Sequence, residues 1–163
     1  MDKRHDELFR QYKDDILPCP NIRWHEHISD IDLSWQPKHL HPNLVVEGLA
    51  ILPDVHLEML LDKMSEEDTT FFRRKRLYEN RFDTSTSRAL DWWMQGEKMI
   101  PPTILIYDQQ FMDLVCPKGI PSTELRPADG KHRLAICCYF GICTIPILVL
   151  RRQVDLIKGV LKM

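Results

Sequence analysis

Asp129, Gly130, Lys131, His132 and Arg133 follow one another in a chain of 163 residues, and their types suit the binding of an anion. A glycine turn that opens a helix leaves backbone N–H groups without intrahelical partners, at the positive end of the helix dipole. Acidic side chains are favoured there, so Lys131, His132 and Arg133 in the first turn run against the preference. Three cation-capable residues where anions are favoured point to an anionic ligand, most simply a phosphate. Gly130 can take φ > 0 and lets a phosphate approach the backbone closely. Arg133 offers a planar fork for bidentate contact with phosphate oxygens. His132 donates to the same phosphate, transfers a proton in catalysis, or packs beneath the turn against a backbone carbonyl. Asp129 accepts from a ribose or substrate hydroxyl, holds Mg²⁺ through water, or simply N-caps the helix. The bland counterpart of all this is a solvated turn whose basic residues meet a surface carboxylate.

Such a turn needs a strand before it and a helix after it. Residues 123–128 supply the first, with Leu125 facing away from polar neighbours. The run from Leu134 through Phe140 is apolar all round, and Gly141 is placed to stop it. Residues 144–150 form a continuous apolar run typical of a buried strand, and residues 45–52 and 102–107 read as two more. The sequence predicts helices over 55–63 behind Asp54 as N-cap, and from Ser65 (with Asp68 in a capping-box relation) through 78. Another runs from Thr84 or Ser85 to Gly96, with Leu90, Trp93 and Met94 inward. Residues 109–122, with Pro117, Gly119 and Pro121, read as a loop. Residues 1–43 make an N-terminal arm, partly irregular, in which Trp24 and Trp35 serve as anchors. Residues 44–163 then form one domain, of mixed α/β (α+β) class, with the four strands in one mixed sheet flanked by helices. Pro127 and Pro146 each remove a ladder donor, so their strands must be edge, bulged or paired on one side there.

Composition excludes little but sets limits. The apolar fraction of 44% and charged fraction of 28% are ordinary for a soluble globular protein. A formal net charge of −2 gives no global attraction to nucleic acid, so any such contact is local. Arg73, Arg74, Lys75 and Arg76, after Phe71 and Phe72, are the dense basic run able to hold a DNA backbone. On a helix, four consecutive residues point nearly all round, and Glu66, Glu67, Asp68 and Glu79 partly neutralise them; a solvated face is the competing reading. No apolar run is long enough to span a bilayer, and the charged N-terminus is unlike a signal peptide, so a cytoplasmic protein is expected. Five cysteines, an odd number, show no zinc spacing and no closed disulfide framework. His25 and His27, and likewise His39 and His41, share a face if extended, but match no zinc framework, and no metal-ligand set is assigned.

Gly130-Lys131-His132-Arg133-Leu134-Ala135, Gly141 and Ile145-Pro146-Ile147-Leu148-Val149 resemble the ParB/sulfiredoxin superfamily. Its members carry a Gly-x-His-Arg type turn between a strand and a small-residue-rich helix, then a Gly and an Ile-Pro-(Ile/Val)-x-Val strand. Asn80-Arg81-Phe82-Asp83, Ala89-Leu90, Gly96 and Pro101-Pro102-Thr103-Ile104-Leu105 are similar to the family's opening motif. The matches span about residues 80–150. The resemblance implies a ParB/sulfiredoxin-like fold with ATP or CTP and Mg²⁺ at the turn, and Arg81 as a second phosphate contact. It also implies Mg-dependent phosphoryl transfer, or hydrolysis of a nucleotide or phosphodiester, with Asp129 and His132 as catalytic candidates. The alternative it offers is a non-catalytic DNA-associated module with nucleotide binding as a switch. Sulfinic acid repair needs a cysteine where Lys131 stands, and is not expected. Residues 153–163, all that follow the last strand, are too few for a helix-turn-helix domain, so sequence-specific DNA reading is not expected either.

Overall fold

In the computed structural model, which describes residues 19–32, 48–73, 84–115 and 118–163, the apolar runs form one mixed sheet. Strands β1 (Leu49–His56), β2 (Thr103–Ile106), β3 (Leu125–Asp129) and β4 (Thr144–Leu150) lie in the order β1-β4-β2-β3. β1 runs antiparallel to β4, β4 parallel to β2, and β2 antiparallel to β3. The mixed α/β class and the single sheet are as expected. β4 reads as a continuous apolar run because it is central and both its faces are covered. Ile145, Ile147 and Val149 join the larger core on one face, and Leu148 and Leu150 the smaller core on the other.

Both prolines sit where a missing donor is tolerated. Pro127 lies in edge strand β3, beside the register shift between Thr103 and Ile104. Pro146 lies opposite a bulge in β1 between Leu52 and Val55. The extra residue there restores the alternation, so that Val55 rather than Asp54 joins Leu52 in the core, and Asp54 takes φ 55°. This bulge overturns the expected helix start at residue 55. The chain stays extended to His56, and α1 (Leu57–Asp62) begins with His56, not Asp54, as its N-cap.

Helix α2 (Glu66–Phe72) starts as its capping pattern requires: the Ser65 hydroxyl accepts the Asp68 N–H at 3.2 Å. It stops earlier than expected, with Arg73 as C-cap, and residues 74–83 lie outside the described residues. Helix α3 (Thr84–Met94) buries Leu90 and Trp93, but Met94 is exposed rather than inward, since Gln95 and Gly96 already turn the chain away. Residues 109–115 are not a loop. Asp108 accepts the Phe111 N–H at 2.7 Å and starts α4 (Gln109–Val115), whose Phe111 and Met112 fill the smaller core. Helix α5 (Lys131–Tyr139) buries Leu134, Ala135, Ile136 and Cys137 and packs against α2 and α3. Gly141, at φ 66°, follows its end as anticipated.

Beyond β4 the chain makes a 3₁₀ turn (Arg151–Gln153) into α6 (Val154–Val160). Gln153 is fully buried there, and its amide acts as a substitute strand partner: it accepts the Ile106 N–H at 3.1 Å and donates to the Ile106 carbonyl at 2.7 Å. Part of the arm is also tied in. Met99 donates to the Arg23 carbonyl and accepts from the His25 N–H, both at 3.0 Å, while Trp24 meets Trp93 edge-on at 5.1 Å. Trp24 is thus an anchor, whereas Trp35 lies outside the described residues. Among the described residues no helix is long and apolar enough to cross a membrane.

Candidate functional site

Edge strand β3 delivers Asp129 to the mouth of α5, and Gly130 makes the corner between them. Gly130 sits at φ 88°, ψ 20°, the left-handed region that glycine enters without penalty. A side chain here is excluded twice over. A Cβ would stand 2.7 Å from Pro102 Cβ and 2.8 Å from both Pro102 Cα and the Arg133 guanidinium. Gly130, not Asp129, is the N-cap residue, and no side chain caps the helix. The first intrahelical bond runs from the Leu134 N–H to the Gly130 carbonyl at 3.0 Å. Among the described residues the N–H groups of Lys131 and Arg133 have no backbone partner.

Four of the expected site residues converge. Asp129, Gly130, His132 and Arg133 line a cleft of about 180 Å³, closed on its far side by Arg88 and Trp92 of α3. A second cleft of about 340 Å³ adjoins it, sharing Trp92, Met99 and Arg133 and extending along Gln95, Lys98 and Ile100. Trp92 lines both clefts and is 45% exposed, so part of its indole is accessible from solvent. Arg88 and Trp92 were not anticipated. The available signal was their spacing: they stand four apart on an amphipathic helix, on the face away from Leu90 and Trp93.

Within the cleft the charges are partly matched. Arg133 Nη2 lies 2.8 Å from Asp129 Oδ2, and the two side chains are only 12% and 22% exposed. Asp129 therefore neither caps the helix nor stands unengaged. His132 Nδ1 shares a 3.0 Å hydrogen bond with the hydroxyl of buried Thr86, and its ring meets Phe71 edge-on at 6.2 Å. This places His132 between α2 and α3 at the cleft wall.

The other candidates go elsewhere. Lys131 turns away toward α2, with Nζ 3.9 Å from Asp68 and the side chain 53% exposed. Arg73, the one described member of the basic run considered for DNA, pairs on the surface with Glu58 at 2.8 Å and Asp62 at 3.5 Å. Arg74, Lys75, Arg76 and Arg81 lie outside the described residues. Among the described residues no group of three His, Cys, Asp or Glu side chains is placed to hold a metal ion. Burial drives the Cys137 thiol far above its ordinary range and pushes Cys138 up to about 12, helped in the latter by Glu58. A thiol raised in this way disfavours the thiolate, the form that acts as a nucleophile. No protein-family model, curated protein or solved structure matches this chain.

Proposed function

We propose that this protein binds a nucleotide or closely related phosphate ester in the cleft between α3 and the Gly130 turn, in the manner of the ParB/sulfiredoxin superfamily. The observation that carries the reading is the convergence on one cleft of a glycine-opened helix N-terminus, two guanidinium groups and an exposed indole. The first-turn N–H groups and Arg133 suit phosphate oxygens. Trp92 offers an aromatic face for a base, and the adjoining 340 Å³ cleft has room for one. ATP or CTP with Mg²⁺ is the ligand this arrangement suits best. Chemistry on it is Mg-dependent phosphoryl transfer or hydrolysis, in which the protein's share is positioning and charge stabilisation. Asp129 and His132 are the cleft residues with groups able to accept or move a proton.

Isothermal titration calorimetry with ATP and CTP, each with Mg²⁺, tests this directly. Arg133→Ala removes a charged, bidentate hydrogen bond, a contribution of roughly 1.5–3 kcal/mol, so affinity should fall by about one to two decades. Arg133→Lys should recover only part, because Lys lacks the planar fork. Lys131→Ala should cost far less, since its exposed ammonium is screened. Unchanged binding in a folded Arg133→Ala protein defeats the reading.

A further inference from the structure

The strongest anion donor of the turn is already engaged. Arg133 Nη2 contacts Asp129 Oδ2 at 2.8 Å, and the same guanidinium is folded back to within 2.8 Å of the space a residue-130 Cβ would fill. Both side chains are largely withdrawn from water, unlike the Arg73–Glu58 pair and the Lys131 ammonium on the surface. A phosphate that takes the donors of Arg133 must take them from Asp129. The carboxylate would then be left facing a second anion, with little solvent to screen the two. On its own, that arrangement opposes binding.

A divalent cation removes the opposition. Mg²⁺ is commonly held by one or two protein carboxylates together with substrate phosphates, and it needs no all-protein cage. That mode asks for a lone carboxylate beside a phosphate, which Asp129 provides. We propose that Asp129 is a cation-dependent gate on Arg133. The ion pair opens by exchange of partners: Arg133 passes to the phosphate as Asp129 passes to a divalent cation carried with it. The cleft then accepts metal-complexed phosphate esters and rejects metal-free ones. Each ligand relieves the obstacle to the other, so metal and phosphate bind cooperatively and reciprocally. The inference rests on the phosphate-ester reading of the cleft and adds to it a selection rule.

Calorimetry of ATP and CTP, in Mg²⁺ and in EDTA, on wild type, Asp129→Asn and Asp129→Ala decides it. The wild type should bind about tenfold or more tightly in Mg²⁺ than in EDTA, a difference of roughly 1.4 kcal/mol per tenfold. Both variants should bind metal-free nucleotide about tenfold more tightly than the wild type and lose the Mg²⁺ response, because Arg133 is released from the outset. Circular dichroism checks the folds, and the near-isosteric Asn guards against a packing effect of Ala. Suppose the variants bind metal-free nucleotide no better than wild type, or keep its Mg²⁺ response, while Arg133→Ala still weakens binding. The gate is then wrong and the phosphate site survives. If no form binds either nucleotide in either condition, the site reading fails and the gate falls with it.

Discussion

Trp92 and Arg133 divide the cleft into a part that reads rings and a part that reads charge, and the two can be separated by ligand. Replacing Trp92 with Ala should weaken ATP or CTP by about 1–3 kcal/mol, the usual contribution of one stacked base, yet leave pyrophosphate binding nearly unchanged. Equal losses for both ligands, measured by calorimetry, would show that Trp92 shapes the cleft and does not stack. The residues of the turn were readable in sequence because they are consecutive and their charges contradict the helix dipole. Arg88 and Trp92 were not, since they reach the turn only through the packing of α3 on α5. The Asp129–Arg133 pair lay in between. Its four-residue spacing is visible in the sequence, but a glycine corner need not bring the two groups together; with Gly130 at φ 88° they meet at 2.8 Å.

Helices α4 and α5 show what local pattern can and cannot decide. α5 was foreseen almost to its ends, because a run apolar on all sides demands cover and Gly141 supplies a stop. α4 escapes a reading that takes Pro117, Gly119 and Pro121 as marks of a loop and gives no weight to Asp108, the residue whose carboxylate caps it. The burial of α5 has a consequence in alkali. The Cys138 thiol is pushed up from its ordinary value of 9.0 to about 12, chiefly by burial, so the folded state keeps the proton that the unfolded chain loses first. Its contribution to stability is whole below about pH 9 and is lost as pH rises toward 12. Thermal unfolding midpoints between those limits should fall more steeply in wild type than in Cys138→Ala. Parallel slopes would mean that the thiol does not feel its burial.

At the scale of the whole molecule, alternation of apolar runs named the strands but could not order them. Nothing in residues 144–150 says that this segment, latest of the four in the chain, lies between β1 and β2. Nor does the sequence announce that Gln153 completes the hydrogen bonding of Ile106. Gln153→Ala should leave two buried backbone groups unpaired and cost about 2–5 kcal/mol, read as a lower urea midpoint at unchanged slope. A cost under 1 kcal/mol would show that water or relaxation replaces the amide. The central position of β4 also governs how the molecule comes into being. Arg151 returns to the Leu49 carbonyl across 102 residues, and the β1–β4 ladder closes a comparably long loop. Such distant pairing forms slowly, since loop closure precedes any gain from contact. Until β4 emerges during synthesis, the inner edges of β1 and β2 have no strand between them, and a nascent chain halted before Thr144 presents both as templates for association with its own kind.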